Sequence, residues 1–361
     1  MAGKGCNLPI FGLSRTFGVG RGIKIFLNLQ GGATRGAVPN PWHRRNPSKT
    51  SNEKDRQIYR LRKKVKEKNE NLFQLRNELK ATNELAEDVH DAPSALQTTG
   101  EMVGALPDFV VIGAMRGGTS RFYGLLIKHP HVKRAASKEL HYFDRPGRLD
   151  KGVEWYRRCF PPPEWKDGQR TISGEATPQY LFDPLVPERM AQVVPQARQI
   201  VLLRNPVDRA YSHYHLSVRR GHETRSFEKA VEVERARLDD GGEEPPGLAR
   251  SADVGRRRSS ALLAKGIYVD QLLHWRRFFG EEQMLVLQSE EFYKHTAETL
   301  KLTQDFLGLP YREIKLSPRH TSPKATYEYE PMDSALRQRL KDFFEPHNRR
   351  LYDYLGRDFG W

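Results

Sequence analysis

The sequence predicts an α/β fold, a three-layer sandwich whose central parallel sheet is covered by helices on both faces. Two observations lead there. Three short runs are apolar along their whole length: FVVIG at 109–113, QIVLLR at 199–204 and MLVLQS at 284–289. Strands apolar on both sides belong to parallel sheets buried on both faces, whereas a half-exposed antiparallel strand alternates. The stretches between the runs carry helical patterns, and alternating strands and helices build a parallel sheet.

The 361 residues carry a net charge of +15 that is unevenly spread. Residues 1–66 hold 15 of the 60 basic and 2 of the 45 acidic side chains, leaving 45 against 43 in the remainder. The excess charge therefore describes a tail and says little about the folded body. Residues 1–52 have no acidic side chain, many glycines and prolines and no period. They read as a basic disordered tail or an organelle-targeting segment. Residues 53–90 change character. Ile58, Leu61, Val65, Leu72, Leu75 and Leu79 occupy a and d positions of one heptad frame, with Lys68 as the break. That seam predicts a coiled-coil stem over 54–88, through which two copies would dimerise, or else one amphipathic helix packed on the body. Residues 91–105 form a linker, and 106–361 the folded body. Within it, 239–260 is rich in glycine, proline and charge and reads as a long loop.

Composition also narrows the function. Cys6 and Cys159 are the sole cysteines, which excludes a disulfide framework or a cysteine zinc site. The apolar stretch near the N-terminus, IKIFLNL at 24–30, is interrupted by lysine and far shorter than a membrane span of about 20 residues. The basic tail comes without a nucleic-acid-binding fold, so no nucleic acid is expected as partner. His213, His215 and His222 lie in SHYHLSVRRGH, but positions two apart on a helix face apart, so no metal is expected there.

Two strand-turn-helix segments carry candidate chemistry. In VVIGAMRGGTSRFYGLL, Gly113 and Gly118 repeat the spacing of a nucleotide-binding P-loop, yet Thr119 stands where that loop needs lysine. The free N–H groups of a helix starting at Thr119 and Ser120 favour an anion, Gly117 and Gly118 allow close approach, and Arg116 adds a fixed cation. The alternative is an ordinary turn with a chance arginine. In LLRNPVDRAYSHY, Arg204 closes a strand, Asn205 can cap the next helix, Pro206 suits its first position and Asp208 its first turn. Ser212, two turns on, can offer a hydroxyl to the same anion. Ligands of open parallel sheets sit beyond the strands' C-terminal ends, where Arg204 falls. Otherwise Arg204 pairs with a carboxylate.

Two anion sites at two strand ends without the P-loop lysine form a pattern that resembles the sulfotransferases using PAPS (3′-phosphoadenosine 5′-phosphosulfate). The segments KELHYFD (138–144), GEATPQYL (174–181), KGIYVDQLLHW (265–275) and FFEPHNRRLYDYLGRDFGW (343–361) share the resemblance, which spans 106–361. They look most like the carbohydrate, heparan-sulfate-type branch and its bacterial and algal relatives. The resemblance implies a P-loop-kinase-like fold, PAPS as co-substrate without a metal, and a glycosaminoglycan-like or other hydroxyl acceptor. It also implies roles. Arg116 would hold the 5′-phosphate and bridging oxygen, with donors from Gly117, Gly118, Thr119 and Ser120. Arg204 and Ser212 would bind the 3′-phosphate. Glu139 would be the general base, His141 would orient the acceptor, and Lys324 in RHTSPKATY would belong to a late loop closing over the nucleotide. The family's Golgi enzymes reside in the lumen; with no membrane anchor visible here, another organelle or the cytoplasm is the other expectation.

The residue types suit the reaction. A sulfuryl group passing in line between oxygens resembles phosphoryl transfer, where positioning and cationic stabilisation supply most of the catalysis. The departures are Ala176, where the heparan-type enzymes have lysine, the absence of cysteines from the late loop, and Arg116 in place of a commoner lysine. The competing readings are a P-loop-like nucleotide kinase and a non-catalytic coiled-coil scaffold with a degenerate transferase body.

Overall fold

A computed structural model describes residues 104–239, 261–316 and 329–361. The expected tail, the stem over 54–88, the 240–260 loop and Lys324 lie outside the described residues.

Five parallel strands form the central sheet, in the order β2-β5-β1-β6-β7. β1 (Phe109–Gly113) runs down the middle, between β5 (Ile172–Ala176) and β6 (Arg198–Leu203). β2 (Val132–Arg134) and β7 (Met284–Gln288) are the edges. A separate two-stranded ribbon pairs β3 (Trp165–Lys166) with β4 (Gln169–Arg170).

Both faces of the sheet are covered. Phe109, Val111, Ile200 and Leu202 pack against Phe122, Leu125 and Leu126 of helix α1 (Thr119–Leu126) and against Phe292, Leu300 and Leu307. Their neighbours in the strands, Val110, Ile112, Val201 and Leu203, point the other way. They meet Val186, Met190, Tyr268, Leu272 and Trp275. Burying each such Leu or Val stabilises the fold by about 1.5–3 kcal/mol, and this is why the strands are apolar on both sides. The expected three-layer α/β fold is the one observed.

The strands differ from the sequence reading in three ways. Two of the five, β2 and β5, have no apolar run. β5 reads ISGEA and includes Gly174, where a Cβ would lie 2.4 Å from the Phe109 carbonyl oxygen, and the buried Glu175. β7 is apolar but lies on an edge, so most of its side chains are only partly buried. β6 ends at Leu203, placing Arg204 one residue beyond it.

The chain leaves β1 towards β2 on one side of the sheet and leaves β6 towards β7 on the other. The C-terminal ends of β1 and β6 are therefore the topological switch point, where ligands of open parallel sheets bind.

Candidate active site

The turn after β1 is drawn tightly onto β6. Ala114 N donates to Leu202 O at 2.9 Å, Gly117 N donates to Ala114 O at 2.8 Å, and the buried Ser289 hydroxyl donates to Gly117 O at 2.8 Å. A Cβ on Gly117 would sit 2.3 Å from Leu202 O, so only glycine fits. Arg116 and Gly118 take left-handed backbone, φ 72° and 91°. Helix α1 then starts at Thr119 with Gly118 as its N-cap and no side-chain cap bond. The helix bonds begin with Arg121 N and Phe122 N to Gly118 O, so the N–H groups of Thr119 and Ser120 open the helix at its positive dipole end. Ser120 is exposed there, while Thr119 is buried.

The segment after β6 is held as firmly. Asn205 caps helix α2 (Pro206–Arg219), accepting from Val207 N and Asp208 N. Its own N–H donates to Glu290 Oε1 at 2.8 Å, and the Tyr268 hydroxyl donates to Arg204 O at 2.8 Å. With the backbone so fixed, Arg116, Ser212 and Arg204 meet. Arg116 Nε donates to Ser212 Oγ at 3.0 Å, and Arg204 Nη1 donates to the Arg116 carbonyl at 3.3 Å. Burial pushes the Arg116 pKa down, Tyr329 opposes it, and Arg204, Arg219 and Arg220 add to the lowering. A guanidinium that is partly desolvated among like charges is a site where an anion relieves an existing cost.

The second cluster lies at the end of β5. Glu139 N donates to Ala176 O at 3.2 Å, bringing the KELHYFD loop to the same C-terminal edge of the sheet. Glu139 and His141 both have left-handed backbone, φ 63° and 53°. His141 stands between two carboxylates: Nδ1 lies 2.9 Å from Asp144 Oδ2, and Nε2 lies 3.7 Å from Glu139 Oε2. Lys138 Nζ pairs with the other Glu139 oxygen at 2.5 Å. The His141 imidazole and then Lys138 outweigh burial and hold the Glu139 pKa down at about 2. Burial works to lower the His141 pKa, but Asp144 and Glu139 overcome it and raise it. Glu139 is thus an ionised carboxylate beside an imidazole that favours its charged form.

Lys265 lies behind the turn after β1. Its ammonium is buried 3.0 Å from Gln179 Oε1 and 3.8 Å from Met115 Sδ, beside the Arg116 turn. The three histidines of SHYHLSVRRGH do not converge. His213 is buried, and burial followed by Lys265 and Arg209 keeps its pKa well below normal, while His215 stacks on Tyr329 with ring centroids 4.0 Å apart.

Sequence reasoning missed Asp144, Lys138, Lys265 and Glu175, although each stands in a segment it singled out. Only Asp144 left a readable signal, three residues after His141 and the length of a single turn.

Residues 106–340 match the sulfotransferase domain family. This chain belongs to the sulfotransferases. It is 28% identical to the membrane-associated sulfotransferase kil1 of Dictyostelium discoideum, over 71% of this chain and 66% of that protein. It is 31% identical to the human heparan sulfate glucosamine 3-O-sulfotransferase 3B1, over 76% of this chain and 70% of the relative. The chain thus spans about two thirds of the length of these curated relatives. Among solved structures, a sulfotransferase from Alicyclobacillus acidocaldarius superposes with a TM-score of 0.54 at 30% identity, covering 71% of this chain and 98% of the other. Among the described residues, no helix of this sulfotransferase is long and apolar enough to cross a membrane.

Proposed function

We propose that this sulfotransferase moves a sulfuryl group from PAPS to a hydroxyl of a carbohydrate acceptor. The observation that carries the reading is the meeting of Arg116, Ser212 and Arg204 at the switch point of the sheet. The residues present fit the donor. An uncapped helix N-terminus and a Gly117–Gly118 turn too close to neighbouring atoms for side chains form a cradle for an oxyanion. Arg116 would hold the 5′-phosphosulfate with donors from Gly117, Gly118, Thr119 and Ser120. Arg204 and Ser212 would hold the 3′-phosphate, and Lys324 is proposed for the same nucleotide.

When bound, PAPS supplies an activated sulfuryl group with a phosphate leaving group. The chain has two tasks: to stabilise charge at the leaving oxygen and to take a proton from the acceptor. Arg116 would do the first. Glu139 would do the second, as an ionised carboxylate at the same edge of the sheet. His141 would hold the Glu139 carboxylate and orient the acceptor, and Asp144 fixes the His141 ring. Buried Ala176 stands where a lysine is expected of the heparan-type enzymes, which favours an acceptor other than heparan sulfate. The P-loop kinase reading loses support because Thr119, at the position of the required lysine, is buried at the start of α1. Labelled PAPS offered with a panel of glycans and small alcohols tests the proposal. Label should appear on a glycan hydroxyl; transfer from ATP but not from PAPS would overturn it.

A further inference from the structure

The loop bearing Glu139 and His141 holds two non-glycine residues in left-handed backbone. Such backbone persists where its surroundings over-determine it. The constraint leads back to Glu175, a fully buried carboxylate in β5 to which neither cluster assigns a role.

Three hydroxyls converge on Glu175. Tyr156 Oη donates to Oε1 at 2.7 Å, Tyr180 Oη to Oε1 at 3.2 Å, and Thr177 Oγ1 to Oε2 at 2.6 Å. A hydroxyl has one proton to give. Once it is given to Glu175, the lone pairs of Tyr180 and Thr177 are left to accept from elsewhere. They accept from the catalytic loop. Tyr180 Oη receives Tyr142 N at 2.8 Å and Phe143 N at 3.4 Å, and Thr177 Oγ1 receives His141 N at 3.5 Å. Three successive loop amides are thus tied to hydroxyls whose polarity Glu175 sets. Burial raises the Glu175 pKa, while Thr177, Tyr156, Tyr180 and the charge on His141 oppose the rise.

We infer that Glu175 is a positioning residue: through Tyr180 and Thr177 it holds the 139–144 loop so that Glu139, His141 and Asp144 face one another. The inference rests on the proposed role of Glu139, and Glu175 itself touches no substrate.

A matched pair of tyrosines separates positioning from mere packing. Tyr156 and Tyr180 are both fully buried in the same cluster, and both donate to the same oxygen of Glu175. Only the Tyr180 hydroxyl also accepts from loop amides; Tyr156 meets the loop through its ring, stacked on Tyr142 with centroids 4.4 Å apart, a contact that Tyr156→Phe retains. Tyr180→Phe, Tyr156→Phe and Glu175→Gln, made in the full chain, should be compared with wild type in three measurements. These are kcat with PAPS and an acceptor glycan, affinity for adenosine 3′,5′-bisphosphate, and the NMR titration of the His141 ring. That ring faces Glu139, Asp144, Arg145 and, across the network, Glu175. Tyr180→Phe and Glu175→Gln should lower kcat by about 10²-fold, the cost of an ångström-scale misplacement, with bisphosphate affinity unchanged. In both, the His141 titration should move back towards an ordinary histidine. Tyr156→Phe should leave kcat and that titration near wild type. Equal losses of kcat in the two tyrosine variants, or an unmoved His141 titration in Tyr180→Phe, would overturn the inference. If Glu175→Gln fails to fold, the tyrosine pair still decides. If wild type transfers no sulfuryl group, the functional proposal fails, while the His141 titration still reports on positioning.

Discussion

The two clusters at the sheet edge are built by opposite means. The Arg116–Ser212–Arg204 cluster stands on regular structure: two strand ends, two helix starts, an asparagine cap and glycines where no side chain fits. The Glu139–His141–Asp144 cluster stands on an irregular loop with left-handed backbone, held by a buried polar network. Anion binding needs only backbone N–H groups and fixed cations, which a strand-turn-helix supplies by its geometry. Taking a proton, the role proposed for Glu139, needs one carboxylate oxygen aimed at one place, and the bent loop would aim it.

This contrast sets the expected size of each perturbation. Glu139→Gln should reduce turnover by about 10²–10⁴-fold, the usual contribution of a general base, and leave bisphosphate affinity unchanged. Unchanged turnover in steady-state kinetics would remove the second cluster from the chemistry. Arg204→Ala should do the reverse. Loss of a charge-assisted contact of about 1.5–3 kcal/mol weakens bisphosphate binding by one to two orders of magnitude, as calorimetry would show. Gly117→Ala should also act on the first cluster. Its Cβ would meet Leu202 O at 2.3 Å, so the turn must move off β6 and bisphosphate affinity must fall. Binding equal to wild type would mean that the turn is not the cradle.

The smallest effect separates the clusters by pH. The Glu139 pKa is held at about 2. Its unfolded value is about 4.3, so its pairing stabilises the fold fully above that pH and the benefit fades as pH falls towards about 2. The Tm advantage of wild type over Glu139→Gln should therefore hold from about pH 5 up to the onset of His141 deprotonation, and close as pH falls below about 4. His141 has the opposite sign. Its raised pKa adds stability below its unfolded value of about 6.5, and this is lost as pH rises through the folded value. His141→Gln should lack that alkaline decline. A constant Tm difference across both ranges would break the ion-pair description of the loop.

The same contrast explains what was legible in the sequence. FVVIG and QIVLLR could be read because burial on both faces leaves only apolar residues, and Asn205-Pro206 because a cap depends on local chemistry. Arg116, Arg204 and Ser212 could be singled out because each follows a strand at a fixed distance. ISGEA could not be read as a strand, since Glu175 and Gly174 break the apolar pattern for tertiary reasons: one anchors three hydroxyls, the other makes room for Phe109. Glu139 and His141 gained their roles only from resemblance. The hydroxyls that accept from the amides of their loop belong to Thr177 and Tyr180, some 40 residues away, and no local pattern encodes them.

Within the first cluster, Arg204 and Ser212 are proposed as the pocket for a 3′-phosphate. The most direct test is calorimetric titration of wild type and Arg204→Ala with adenosine 3′,5′-bisphosphate, adenosine 5′-monophosphate and ATP. Wild type should bind the bisphosphate most tightly, and Arg204→Ala should bind bisphosphate and monophosphate nearly alike. A wild-type protein that binds ATP more tightly, or a variant that keeps the full preference for the bisphosphate, would contradict it.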